Sequence, residues 1–226
     1  PCYLYVQDLW PENVEVVTGI HSRIVIKPIE VMVNYIYKYC THIFGTSPSF
    51  VKEIQKRCKD KNKVSYWPQY AEEFYYPIDK KIAAVKCPEI PIDDSFKICF
   101  TGNIGQAQGL EILPKTAKLL KDQCIKFVIV GDGRDKEFFV KAIKENEVED
   151  MFVMVGRQPP ERISAFLGCC DAAFLSFQNE DLWKKTVPAK LQSYMACGMP
   201  IIAAAEGETK RLIEEAKCGF CSPIGN

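Results

Sequence analysis

The sequence predicts an α/β fold of two doubly wound, parallel-sheet domains, the first of them incomplete. Three observations carry this. From residue 96 onward, short apolar runs alternate with amphipathic stretches of helical length, the pattern left by strands buried on both faces between covering helices. Residues 1–78 repeat the alternation with fewer strands. Between the two lies YYPIDKKIAAVKCPEIPIDDSF, residues 75 to 96, which carries three prolines and mixed charge without a convincing period and so reads as a connection. The predicted division is 1–78, a linker at 79–96, and a Rossmann-like domain at 97–226.

Taken in order, the first domain opens with a strand at Tyr3–Val6, then an apolar helix around residues 28 to 40, a strand at His42–Gly45, the helix SPSFVKEIQKRC and a strand at Lys63–Trp67. Ser47 suits the N-cap of that second helix and Pro48 its first position. The stretch IVIKPIEVMVNYIYKYCTHIF, residues 24 to 44, is apolar all round but broken by Lys27, Pro28, Glu30 and Lys38. It reads as a helix buried between the sheet and a neighbour rather than a membrane span, with docking on a bilayer surface or on another domain as the alternative. In the second domain, strands are expected at Lys97–Thr101, Lys126–Val130, Met151–Val155, Ala172–Phe177, Pro200–Ala204 and near Phe220, each pair separated by a helical segment.

Lysine plus arginine and aspartate plus glutamate both number 29, so no overall field recruits nucleic acid or an anionic membrane, and an anion must be held by a local arrangement. A small-molecule partner is expected. Eleven cysteines are scattered along the chain; it is too long to need disulfide staples, and an odd count leaves one unpaired, which points to a reducing, cytosolic compartment. CGFC at 218–221 has redox or zinc half-site spacing but no matching second pair, so it and the Cys169–Cys170 pair read as buried small residues. With two histidines, His21 and His42, and no Asp-x-Asp triplet, no metal site is expected. The opening at Pro1, directly on an apolar strand, leads us to expect further sequence upstream.

The chemistry is expected where parallel strands run out into helices. FTGNIGQAQGLE, residues 100 to 111, places Gly102, Gly105 and Gly109 at such an end. Glycines there let backbone N–H groups approach an anion, and a helix starting near Gly109 would add its positive end. The spacing differs from GxGxxG, which argues against a nicotinamide or flavin; a diphosphate cradle and a purely structural turn both remain readings of this loop. VGDGRD, residues 130 to 135, lines the same edge with Gly131, and Asp132 or Asp135 could cap the following helix. In TVPAKLQSYMACGMPIIAAAEGE, residues 186 to 208, Pro188 fits a first helical turn and places Lys190 within it. A cation there opposes the helix dipole at a cost of ~0.3 to 1 kcal/mol, which a bound phosphate would offset; a solvated surface lysine is the plainer reading.

These motifs resemble those of the bacterial family 4 glycosyltransferases, of GT-B architecture, and within them enzymes of polysaccharide and lipopolysaccharide synthesis that transfer N-acetylated amino sugars. The resemblance rests on DLWPE at 8–12, YWPQYAEEFYYP at 66–77, FTGNIGQAQGLE at 100–111, VIVGDG at 128–133, the cysteine-rich helix running into DAAFLS, and VPAKLQSYMACGMPIIA at 187–203, in the family's order along nearly the whole chain. It implies an internal piece of a longer enzyme. It also implies a UDP-sugar donor, a glycan or polyprenyl-linked acceptor, retention of anomeric configuration, no metal or other cofactor, no nucleic acid, and work in the cytoplasm or at the inner face of its membrane. Carried onto this sequence, the donor site would comprise Gly102, Asn103, Gly105, Gln108, Gly131, Arg157, Lys190 and Ser193, with Lys190 and Asp8 as catalytic groups. Arg157 would border the base, with a surface arginine as the alternative, and Asp8 either serves the acceptor or caps its own turn. Departures from the family pattern are Lys185 and Ser193 where two glutamates are usual, Asn103 and Gln108 where an arginine and a lysine are usual, and Gln7 where a histidine often stands. The rival functions are a nucleotide-sugar 2-epimerase on the same fold and a non-catalytic donor-binding or scaffolding piece.

Overall fold

The computed structural model describes residues 1–225. In chain order the elements are β1 (Tyr3–Val6), α1 (Glu12–Thr18), α2 (Arg23–Tyr39), β2 (His42–Gly45), α3 (Pro48–Arg57), β3 (Val64–Tyr66), α4 (Lys80–Lys86), β4 (Phe96–Thr101), α5 (Ile112–Leu119) and β5 (Ile125–Val130). There follow α6 (Lys136–Glu145), β6 (Phe152–Gly156), α7 (Pro160–Gly168), β7 (Ala172–Ser176), α8 (Asp181–Lys185), α9 (Ala189–Ala196), β8 (Ile201–Ala204), α10 (Gly207–Ala216) and β9 (Gly219–Ser222). The chain forms two compact units: Pro1–Gln69 with Asn179–Pro188 and Glu206–Arg211, and Tyr70–Gln178 with Ala189–Ala205 and the chain from Leu212 onward.

The first unit is built on a three-stranded parallel sheet, β1-β2-β3, in register Tyr3↔His42 and Ile43↔Val64. Helix α1, which the sequence pattern did not reveal, ends where Gly19 takes up the left-handed conformation at φ +68°, a conformation glycine adopts without strain. Helix α2 begins at Arg23, five residues before the predicted helix start at 28, and carries Pro28 inside it. It is not enclosed on all sides, contrary to expectation. Only Val33 and Tyr37 are buried, while Ile24, Val31, Met32, Tyr35 and Tyr39 stand exposed. Among the described residues no helix is long and apolar enough to cross a membrane.

Ser47 caps α3 as expected, its Oγ accepting from Phe50 N–H at 3.0 Å. The same helix start anchors two segments that the sequence assigned to the other domain. Ser47 Oγ donates to the Lys185 carbonyl at 2.6 Å, and Ser49 donates through its N–H and its hydroxyl to Glu208 Oε1 at 2.8 and 2.6 Å. Burial opposes the charge on Glu208, yet hydrogen bonds from Ser49 and Arg211 hold its carboxyl below the usual range. A carboxylate at a helix amino terminus also meets the positive end of the dipole.

The second unit holds a six-stranded parallel sheet of order β6-β5-β4-β7-β8-β9. Strands β4 and β7 are buried almost throughout, as a sheet covered on both faces requires. Ile98, Phe100, Phe127, Ile129 and Phe174 from the strands pack with Leu113, Phe139 and Ile143 from α5 and α6 in one cluster. CGFC runs into the edge strand β9, with Cys218 just before it; Cys218 and Cys221 are half-buried and Phe220 is 84% exposed, so these residues are not the buried filler expected. Cys169 and Cys170, by contrast, are buried.

The predicted linker 79–96 is part of this unit. Asp79 caps α4 by accepting from Lys81 N–H at 2.9 Å, Ala83 and Cys87 are fully buried, and α4 packs on α7. The flanking prolines hid a short helix from the periodicity. Just beyond it, Lys97 is 3% exposed at its side chain and donates to Asp93 Oδ1 at 2.8 Å, while Lys126 reaches Asp93 Oδ2 at 2.7 Å. Lys126, then Lys97 and Ser95, hold the Asp93 carboxyl well below the usual carboxylate range. That stabilisation is present above the unfolded pKa near ~4 and is lost as pH falls toward the folded value. Asp93→Asn leaves Lys97 as an uncompensated buried charge and is expected to cost on the order of 2 kcal/mol at pH 7, between the exposed and buried limits. Urea denaturation of parent and variant checks this, and the gap between them should begin to narrow below about pH 4 and close only as pH approaches the folded value.

Candidate functional site

The site is set by a strand pair that stops early. Strands β4 and β5 pair along their full length, from Phe96↔Ile125 to Thr101↔Val130, but β4 and β7 pair only at Ile98↔Ala172 and Cys99↔Ala173. This is also the point where strand order reverses, with β5 and β6 on one side and β7, β8 and β9 on the other. A crevice therefore opens at the carboxyl ends of β4 and β7, the usual ligand position in such sheets.

Along β4 successive N–H groups point to alternate neighbours. Gly102 N–H donates to the Val130 carbonyl of β5 at 2.9 Å, so Thr101 N–H faces the gap. Tyr194 of α9 fills it. Its fully buried hydroxyl accepts from Thr101 N–H at 2.9 Å and lies 3.3 Å from Thr101 Oγ1. Burial pushes the phenol above its ordinary range. One turn earlier on the same helix face, Lys190 places its Nζ 4.1 Å from the centroid of the Phe100 ring and donates to Gln108 Oε1 at 2.5 Å. Its side chain turns in toward β4. Among the described residues no carboxylate pairs with it, and desolvation by burial lowers the ammonium pKa to about 7.

The crevice has a roof. After Gly105 the chain makes a short 3-10 turn at Gln106–Gln108, and Gly109 follows in the left-handed region at φ +57°; α5 starts at Ile112, later than the expected Gly109. The Gln108 carbonyl accepts from Ser176 Oγ at 2.5 Å and the Ala107 carbonyl from Gln178 N–H at 3.1 Å, which ties the turn across the end of β7. Gly102 has φ +122°, and a Cβ there would sit 3.5 Å from Lys190 Nζ. The backbone conformation therefore favours glycine at this position, while the 3.5 Å approach to the ammonium is ordinary contact.

Gly102, Gln108 and Lys190 thus converge. Asn103 lies across the glycine loops, with its amide where a Cβ on Gly105 or Gly133 would have to be. Gly131 has a different reason for being glycine: a Cβ would fall 1.9 Å from the Gly102 carbonyl, so it allows two loops to touch. Asp132 caps its own turn, accepting from Gly133 N–H at 2.9 Å and pairing with Lys136 at 3.2 Å, whereas Asp135 makes no side-chain cap. Arg157 is exposed just past the sheet's edge strand β6. Ser193 is buried and engaged, bonding to the Ala189 carbonyl at 3.4 Å and to the Tyr75 hydroxyl. Asp8 belongs to the first unit, is exposed, and accepts from Asn13 Nδ2 at 2.8 Å. Sequence reasoning missed Tyr194 and Phe100; the available signal was that Tyr194 follows Lys190 by four residues and so shares its helix face.

A cavity of about 270 Å³ adjoins the loop, lined by Gly105, Gln106, Leu110, Glu111, Asp135 and Phe138. A wider apolar groove of about 870 Å³ lies at the opposite, amino-terminal ends of the strands, with Phe96, Met199 and Phe220 in its wall. Glu214 and Lys217 are its charged lining residues, and it sits away from the strand ends where the chemistry gathers.

An open parallel sheet with a half-buried ammonium and glycine-rich turns at its switch point defines a doubly wound, Rossmann-like α/β protein. The family model described as glycosyl transferases group 1 matches residues 87–226, and the chain belongs to that family. It is 26% identical over 229 residues to the probable glycosyltransferase WbjE of Pseudomonas aeruginosa, covering 97% of this chain and 55% of that protein. It is 28% identical over 162 residues to the putative colanic acid biosynthesis glycosyl transferase WcaI of Escherichia coli strain K12, covering 70% of this chain and 39% of WcaI. The chain thus spans about half or less of the length of these relatives. Among solved structures, HepE of Anabaena, in complex with UDP and glucose, superimposes with a TM-score of 0.79 at 16% identity, over 100% of this chain and 58% of HepE. WaaG, a glycosyltransferase involved in lipopolysaccharide biosynthesis, gives 0.77 at 12% identity, over 99% of this chain and 61% of WaaG. The fold is that of these GT-B enzymes.

Removing the Tyr194 hydroxyl strands the Thr101 N–H in a dry gap. Tyr194→Phe is expected to cost about 1 to 3 kcal/mol and to speed hydrogen exchange at Thr101 selectively, read by denaturant melts and residue-resolved exchange.

Proposed function

We propose that the protein transfers a sugar from a UDP-sugar to a hydroxyl of a glycan or polyprenyl-linked acceptor during the synthesis of a cell-surface polysaccharide. The observation that carries this is the Lys190 ammonium held in the crevice between β4 and β7 beside Gly102 and Gln108. Family membership, the descriptions of WbjE and WcaI, and the UDP and glucose in the HepE complex support the same reading.

The donor's diphosphate takes the place opposite Lys190, where the ammonium, the amino terminus of α9 and the N–H groups of Asn103 and Gly105 meet it; those of Gly102 and Ile104 are already bonded to the Val130 and Asp132 carbonyls. As the bond from the sugar to the phosphate breaks, negative charge builds on the leaving diphosphate, and preorganised positive groups stabilise it without having to move. Gln108 releases Lys190 to the phosphate. Asn103 adds a neutral amide donor, and Arg157 borders the base. These groups provide the neutralisation a metal ion would otherwise supply, so we propose a metal-independent reaction. Asp8 serves the acceptor, transfer proceeds with retention, and the sugar is an N-acetylated hexosamine.

A lysine whose pKa is lowered to about 7 by desolvation is recharged by an adjacent phosphate. Above pH 7 the complex must therefore take up a proton, and affinity for UDP falls by up to about tenfold per pH unit until the bound-state pKa is reached. Calorimetry in buffers of different ionisation enthalpy measures that proton. Lys190→Arg, always charged, should bind with little pH dependence between 7 and 9.

In the full-length protein, incubated with radiolabelled UDP-N-acetylglucosamine and lipid-linked acceptors, Lys190→Ala is expected to lower turnover about 10²- to 10³-fold. Chelators should leave turnover unchanged. Inversion at C2 of the sugar without transfer, or tight binding without turnover, would overturn the transferase reading.

A further inference from the structure

The eleven cysteines are all free thiols, and several meet in pairs. Cys99 bonds to Cys170 and Cys87 to Cys169, with all four buried in the second unit. One pair differs. In the first unit Cys2 Sγ lies 3.8 Å from Cys40 Sγ, with Cys2 exposed and Cys40 buried. Nothing in the transfer chemistry uses either residue.

The backbone around this pair is fixed. Thr41 N–H donates to the Cys2 carbonyl at 2.8 Å, Cys2 N–H donates to Thr41 Oγ1 at 3.0 Å, and the β1–β2 ladder begins one residue on, at Tyr3↔His42. Cys40 is in turn the C-cap of α2, its N–H bonded to the Ile36 carbonyl. The two sulfurs stand about 1.8 Å farther apart than in a disulfide, a gap that side-chain rotation can close. The buried thiol of Cys40 is pushed above its ordinary range by desolvation and then by Cys2, so the exposed Cys2 meets an oxidant first.

We infer that Cys2 and Cys40 form a reversible dithiol–disulfide site, oxidised by hydrogen peroxide and reduced by cellular dithiols. Cys2 thiolate attacks peroxide; an S–O bond forms, the O–O bond breaks, and hydroxide leaves, taking a proton to become water. Cys40 sulfur then attacks the sulfenic sulfur of Cys2. The S–S bond forms, the S–O bond breaks, and the leaving hydroxide departs as water with the Cys40 proton. Two thiols are oxidised and one peroxide is reduced to two waters. A dithiol reverses the step by exchange. The crosslink joins the start of β1 to the end of α2, closing a loop of 39 residues counting both ends, so the oxidised form should unfold at higher temperature.

The test exposes the full-length native protein to graded hydrogen peroxide, then alkylates it and maps disulfides by mass spectrometry, with Cys2→Ser and Cys40→Ser alongside. The expected first product is a Cys2–Cys40 linked peptide, with two thiols lost, full recovery in dithiothreitol and a melting temperature raised by several degrees. Cys40→Ser should instead accumulate a dimedone-trapped sulfenic acid at Cys2. A first disulfide elsewhere, such as Cys99–Cys170, or sulfinic acid at Cys2 without a crosslink, would overturn the inference. Because the oxidation chemistry does not involve nucleotide, its outcome is independent of the transferase reading.

Discussion

The second unit depends on the early end of one strand pairing. Strands β4 and β7 share two residue pairs and then part, which leaves a backbone donor facing a gap in a dry interior. An unsatisfied buried N–H costs roughly what a lost hydrogen bond does, so the gap must be filled by something that accepts. Tyr194 does so from α9, and the same helix turn carries Lys190 into the opening. Keeping the sheet open and placing a cation in the opening are thus two results of one helix position.

The environment of Lys190 bears on how such a site works when empty. An ammonium with an aromatic face beneath it and a neutral amide beside it is held, among the described residues, without a counter-charge. Cation–π contact offsets part of the desolvation, but burial still brings the pKa close to neutrality. A carboxylate partner would have fixed the charge and competed with a phosphate. The neutral Gln108 leaves the ammonium in need of an anion.

Much of this was legible in the sequence, and the reason is local. Continuous apolar strands, the glycines after β4 and the position of Lys190 near a helix start all follow from short windows of residues. Long-range pinning was not legible. The segments 179–188 and 206–211 join the first unit through bonds from Ser47 and Ser49 to Lys185 and Glu208, partners more than a hundred residues away. Helix α4 was hidden by its flanking prolines, and α2 was judged by composition, which does not tell which of its apolar faces finds a neighbour. Ser193 looked like a donor contact from its alignment with a family motif, but its hydroxyl is engaged by the Tyr75 hydroxyl and the Ala189 carbonyl. Gly131 looked like part of a cradle, but it is glycine because the Gly102 carbonyl lies against it.

The central claim is that a diphosphate occupies the crevice at the ends of β4 and β7. A crystal structure of the protein grown with UDP tests it most directly. The account predicts phosphate oxygens within hydrogen-bonding distance, about 3 Å, of Lys190 Nζ and of N–H groups in the Gly102–Gly105 loop, with Gln108 turned away from the ammonium. UDP bound elsewhere on the sheet, with the Lys190–Gln108 contact intact, would contradict it.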